Sequence, residues 1–151
     1  MLIPEQLWIP SFKDVAGQFA PRSVSRHATT SLAQAVIETT PVAVARDYVF
    51  LLKQITVLAI AGAAQTVQVV AARIQFGGSA EVILRPFRNR FSDYGLGAAP
   101  TEMSYSWNGE ILLMPLDEVI CSSEFNAGAA ANSHTHSVHG ILIPRGNWQL
   151  G

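Results

Sequence analysis

The stretch WNGEILLMPLDEVICSSEFNAGAAANSHTHSVHGILIPRGN, residues 107–147, reads as sheet-forming runs joined by turns of small residues. Trp107-Asn108-Gly109-Glu110 opens the run Ile111 to Met114, which stops at Pro115 because proline has no amide hydrogen to continue a central ladder. Val119-Ile120-Cys121 makes a second approach to the core, and Phe125 to Asn132 supplies the Asn and Gly positions of a tight reversal. The closing run, Ser133 to Ile143, is halted by Pro144-Arg145-Gly146-Asn147.

Upstream of this stretch lies the most apolar part of the chain. It begins at Val42, after Thr39-Thr40-Pro41 breaks the preceding run, and continues to Phe76. Ile55 to Ile60 and Thr66 to Val70 are rich in β-branched residues, and Ala61-Gly62-Ala63-Ala64 lies between them, a pattern that predicts a buried hairpin with Gly62 at the reversal in a positive-φ conformation. Ile55 to Ala72 contains no charged residue, which raises a membrane span. Gln65, Gln68, the break at Gly62 and the flanking Lys53 and Arg73 argue against one, because polar groups in lipid are costly. Ser31 to Glu38 fits two helical turns or one strand, and its period does not decide between them. Glu81 to Leu84 is a short strand stopped by Arg85-Pro86, and Phe87 to Pro100 suits a long surface loop.

Residues 1–25 carry Pro4, Pro10 and Pro21 among Leu2, Ile3, Trp8, Phe12 and other large apolar groups, without a period. This is an extended N-terminal arm that must lie on something, its own domain or a neighbouring subunit, and the remaining residues 26–151 form one domain. At 151 residues the chain is long enough to bury a core without staples. Net charge is −1, so charge calls for neither nucleic acid nor an anionic membrane as a partner. Charged residues are 14% against 49% hydrophobic, a surface too poor in charge for a monomer and one that implies concealment by other chains. The cluster Arg85, Arg88 and Arg90 suits ion pairs between subunits better than a nucleic-acid strand. Met1-Leu2-Ile3-Pro4-Glu5 lacks the build of a signal peptide, so Sec-type export is not expected.

No serine triad or phosphate-binding glycine loop has its local frame, and Cys121, the sole cysteine, has no basic neighbour in sequence and reads as a small core residue. The segment His134-Thr135-His136-Ser137-Val138-His139 does suggest metal. On a strand, His134 and His136 share a face with Val138, and His139 points the other way, so two imidazoles converge where zinc or iron needs three protein ligands. The third would have to come from elsewhere, for example His27. The His-x-His pair resembles the metal motif of cupins, but the Glu expected a few residues later is missing. The plain alternative places both histidines as polar strand residues at a subunit contact or a solvent face.

Trp107 to Glu110, Phe125 to Asn132 and Val138 to Asn147 resemble small all-β virion proteins of tailed bacteriophages, and the segment Ala61 to Val67 is similar to theirs as well. The resemblance runs from about Tyr48 onward. It implies an all-β fold, a β-sandwich of jelly-roll type, present in many copies in a virion assembled in the host cytoplasm. It brings no catalytic residues and no cofactor, so no enzyme is expected. The expected role is structural: a capsid decoration (cement) protein or a neck or tail component, a homo-oligomer contacting major capsid, neck or tail proteins, with Leu2, Ile3, Trp8, Phe12, Arg85, Arg88 and Arg90 at its interfaces. The rivals are a cupin-like metal-binding protein using His134 and His136, and a receptor- or glycan-binding tip using the loop Phe87 to Tyr94.

Overall fold

The computed structural model describes residues 21–77, 80–83, 87–88 and 100–145. Every described element is a strand: β1 Arg22–Leu32, β2 Val36–Ala43, β3 Tyr48–Ile60, β4 Val67–Phe76, β5 Ala80–Ile83, β6 Phe87–Arg88, β7 Glu102–Leu113, β8 Glu118–Phe125 and β9 Asn132–Pro144. They form two antiparallel sheets, one in the order β1-β9-β3-β7 and the other β2-β8-β4-β5, with β6 also pairing with β4. This is a β-sandwich. Its core fills the space between the sheets with Phe50, Leu52, Ile55 and Val57 from β3, Val67, Val70 and Ile74 from β4, Leu113 from β7 and Val119 from β8, all buried. Each such side chain contributes roughly 1.5–3 kcal/mol on removal from water.

The chain changes sheets between β1 and β2, β2 and β3, β3 and β4, β6 and β7, β7 and β8, and β8 and β9. The hairpin expected between residues 55–60 and 66–70 therefore does not form. β3 pairs with β7 and β9, β4 pairs with β8, and residues 61–66 bridge the gap between the sheets. Both runs are buried because they line one core from opposite sides, a pattern that periodicity does not distinguish from a hairpin. No described helix is long and apolar enough to cross a membrane, and Ile55 to Ala72 is divided between β3 and β4.

Three of these crossings meet at a single buried amide. Asn132 Nδ2 donates to the carbonyls of Gln34 (2.7 Å) and Ala127 (2.9 Å), and its Oδ1 accepts the amide of Gly62 (2.8 Å), tying the β1–β2, β8–β9 and β3–β4 connections together. Gln65 adds bonds to Ala130 O (3.0 Å) and from Ala129 N (3.2 Å).

The remaining sequence expectations fare unevenly. Ser31 to Glu38 is neither helix nor one strand but the end of β1, a bend and the start of β2. Thr39-Thr40-Pro41 does not end its run. β2 continues to Ala43 through a register shift between Thr39 and Val42, and it is an edge strand, where the missing proline N–H does little harm. Pro115 does end β7, at position i+1 of the turn Met114–Asp117, whose i+3 amide returns to Met114 O at 3.1 Å. Arg22–Ser25, assigned to the arm by the boundary at residue 25, belong to β1, while residues 1–20 lie outside the described ones.

β3 carries a second irregularity. Its pairing shifts between Leu52 and Gln54 against both neighbours, so Lys53 is the extra residue opposite β9 and Gly109 and Glu110 together oppose it on β7. This bulge resets the alternation: Phe50 and Leu52 face the core before it, and Ile55, Val57 and Ala59 face the core after it. Lys53 and Glu110 form an ion pair at the bulge.

Gly62 does not have a positive φ; in its turn that conformation falls to Ala64, at 60°. What requires glycine at 62 is space, since a Cβ there would stand 2.6 Å from Ala131 O and 2.8 Å from Gln65 Nε2. Gly62→Val is expected to cost on the order of 1–3 kcal/mol through overpacking. Asn132→Ala should cost about 2–3 kcal/mol, because three part-buried backbone groups lose a buried partner. Chemical denaturation midpoints check both. A wild-type midpoint for Asn132→Ala would show that the crossings do not depend on it.

Candidate functional site

The side chains with the most chemistry among the described residues lie between the sheets. Along β9, Asn132, His134, His136, Val138 and Gly140 are buried, and the residues between them are half-buried on the outer face. Direct pairing puts His134 beside Ala59 and His136 beside Val57 on β3, and beside Thr30 and Ala28 on β1. The parity expectation holds: His134 and His136 share Val138's face, and His139 turns outward, its Nδ1 3.0 Å from Ser25 Oγ. The choice of face is a correction. These histidines sit neither at a solvent face nor on an open contact; His134 is 0% exposed and His136 7%.

Their partners come from the opposite sheet. Ser123 Oγ on β8 lies 2.6 Å from His134 Nδ1, and Thr39 Oγ1 on β2 lies 2.9 Å from both His134 Nε2 and His136 Nδ1. A threonine hydroxyl has one proton, so Thr39 donates to one imidazole and accepts an N–H from the other. If it donates to His136, then His134 donates through Nε2 and accepts the Ser123 hydroxyl at Nδ1. In the reverse arrangement His136 donates to Thr39, which donates to His134, which donates to Ser123. Either way each of these three hydrogen bonds has a donor and an acceptor with both rings neutral, and among the described residues no fully buried side-chain nitrogen or oxygen lacks a partner. Burial, then the charge His136 would carry 5.9 Å away, pushes His134 down to about 4. Burial, then His27, lowers His136.

This arrangement links the sheets but lacks a third metal ligand. His27 pairs with Ser137, on the outer face of its sheet, and no group of three or more His, Cys, Asp or Glu that could hold a metal occurs among the described residues. Cys121 is buried, and desolvation pushes its thiol up to about 12, far from a nucleophile's range. A cavity of about 290 Å³ opens between β1 and β2, lined by Val24, Val42, Val44, Tyr48, Phe50 and Leu142 with Arg26. That lining contains no acid–base pair and no nucleophile.

The outer face of the β1-β9-β3-β7 sheet is the other distinctive surface. Successive ranks across it read Ser25, His139, Gln54, Asn108; then His27, Ser137, Thr56, Ser106; then Thr29, Thr135, Leu58, Ser104. Hydroxyls bond across it, Thr29 to Thr135 at 2.9 Å and Thr56 to Ser106 at 3.3 Å. These three ranks carry no Asp, Glu, Lys or Arg; the charges on this face are the Lys53–Glu110 pair at the bulge and Glu102, in the rank of Ser31, Ser133 and Ile60.

Of the interface residues expected from the sequence, Leu2, Ile3, Trp8, Phe12, Arg85 and Arg90 lie outside the described residues, and Arg88 is placed on β6 opposite Val69. Sequence reasoning missed Thr39 and Ser123. The signal for them was weak: each is one of two adjacent hydroxyl residues in its strand, Thr39-Thr40 in β2 and Ser122-Ser123 in β8.

No protein-family model and no curated protein matches the chain. Among solved structures it is similar to that of infectious bursal disease virus Gt strain (13% identity, TM-score 0.38, covering 84% of this chain and 34% of that one). It is also similar to a pentameric capsid protein isolated from metagenomic phage sequences (12%, 0.38, 80% and 60%) and to the nora virus structure (11%, 0.33, 82% and 57%). The chain thus spans less than two thirds of each of these neighbours. The superpositions are partial, and no residue, activity or assembly follows from them for this chain.

The buried pair has a pH consequence. A histidine held below its ordinary 6.5 binds protons more readily in the unfolded chain, so its stabilising effect is complete above 6.5 and is lost as pH falls through about 4. For His134 alone this amounts to about 3 kcal/mol. Unfolding midpoints measured from pH 7 to pH 4 should fall accordingly, and His134→Gln, which keeps hydrogen-bonding capacity without titrating, should flatten the fall. His134→Ala should cost about 2–4 kcal/mol at pH 7, since it opens a cavity and strands the Ser123 hydroxyl.

Proposed function

We propose that the protein is a structural component of a tailed-bacteriophage virion, assembling in multiple copies in the host cytoplasm as a capsid decoration (cement) protein or a neck or tail component. The observation that carries this reading is the broad, nearly uncharged outer face of the β1-β9-β3-β7 sheet. A sheet face exposed throughout a protein's life is ordinarily salted with Lys and Glu, which keep it soluble and unpaired. Hydroxyl, amide and aliphatic groups at these positions suit a face covered by another protein. The low charge of the whole chain agrees with this, as does the sequence resemblance to small all-β virion proteins. In this reading the buried His134–Thr39–Ser123 set is a cross-link between sheets rather than a reaction centre, and the arm that precedes β1, up to Pro21, reaches a neighbour.

Light scattering on the full chain, with negative-stain images, should find rings or other closed multimers. Deleting Met1 to Pro21 should lower the assembled mass or abolish attachment to particles while leaving the β-type circular dichroism unchanged. A monodisperse monomer that does not attach to particles would overturn the reading. Elemental analysis separates the cupin-like rival: less than a tenth of a metal ion per chain is expected. One tightly held zinc, iron or manganese, lost on replacing His134 and His136, would favour the enzyme class.

A further inference from the structure

Among the described residues the two sheets end in β1, β7, β2 and, beside β4, β5 with β6, and these edges are not equally protected. β2 carries Pro41 and a register shift. β5 is four residues long. β7 is broken by the bulge at Gly109 and bears Glu102 and Glu110. These are the devices by which edges are kept from pairing with other chains. β1 has few of them. Its 11 residues pair with β9 without a shift, it contains no proline or glycine, and nearly all of it is exposed. Among the described residues nothing pairs with its far side.

We propose that β1 pairs antiparallel with β1 of a second copy of this chain about a two-fold axis at His27, joining the two four-stranded sheets into one. The sequence of β1 is self-complementary in this register. Arg22 falls opposite Leu32, Arg26 opposite Ala28, and Ser25 opposite Thr29, with His27 opposite its own counterpart. No arginine meets an arginine, and the bulkiest side chain within the strand meets the smallest. A register two-fold about Val24 would set Arg22 against Arg26. Residues that face each other across the axis have equal parity, so both outer faces merge into one hydroxyl-rich surface. Ser25 and Thr29 then meet as a hydroxyl pair of the kind Thr29 already makes with Thr135. This deepens the multi-copy reading above and rests on it, naming the second copy as partner and β1 as the contact.

Cross-linking of the full chain tests the register. Directly paired Cα atoms are about 4.5–5.5 Å apart, within disulfide reach, and the buried Cys121 does not compete. His27→Cys should form a covalent dimer under mild oxidation. Ser25→Cys and Thr29→Cys should each fail alone, their own counterparts being roughly 13 Å away, but cross-link when combined in one chain. Ser25→Glu with Thr29→Glu should weaken self-association at least tenfold, and Ser25→Glu with Thr29→Lys should restore it, although both variants lose the same hydroxyls. A multimeric protein whose His27→Cys variant does not cross-link would overturn this contact and leave the multi-copy reading standing. Cross-linking through Ser25→Cys or Thr29→Cys alone would overturn the register. A wild-type monomer would overturn the contact and the multi-copy reading together.

Discussion

Asn132 holds the architecture at one end. A sandwich whose strands alternate between sheets must carry its backbone repeatedly across the gap, and a crossing chain has carbonyls and amides with no ladder to join. Asn132 is fully buried and satisfies one such group in each of three crossings. At the other end Asp117 has a comparable part: Met114 N donates to its Oδ2 at 2.8 Å and Gly77 N to its Oδ1 at 3.1 Å, while its backbone carbonyl accepts from Val44 N at 2.9 Å. The core between these ends is apolar and directionless, so these polar ties are what fix which strand follows which.

The bulge at Lys53 works at the same level. A strand of 13 residues with strict alternation would turn either Phe50 and Leu52 or Ile55, Val57 and Ala59 to the outside. One extra residue lets all five face inward. Gly140, opposite Leu52 at this level, allows the Phe50 ring to lie where a side chain would otherwise stand: a Cβ there would meet Phe50 Cζ at 2.4 Å. The packing of the bulge and the absence of a side chain at 140 are two halves of one arrangement.

Between these features lies the polar seam of His134, His136, Thr39 and Ser123, joining β9 to β2 and β8 across the gap. Two buried imidazoles are an unusual way to connect sheets. Each bonded nitrogen meets a hydroxyl.

The sequence alone determined that this is an all-β chain, where several strands end, and that His134 and His136 share a face opposed to His139. Those properties are local: period-two alternation and breakers such as Pro115 act within a few residues. It also showed Cys121 as core. Only the tertiary structure decided which sheet each strand joins, and so that residues 55–60 and 66–70 face each other across a core instead of pairing. It likewise decided that the histidine face is the buried one. Parity groups residues without saying which group meets water. That depends on partners 95 and 11 residues away in sequence, Thr39 and Ser123, which reach His134 because the two sheets close on each other.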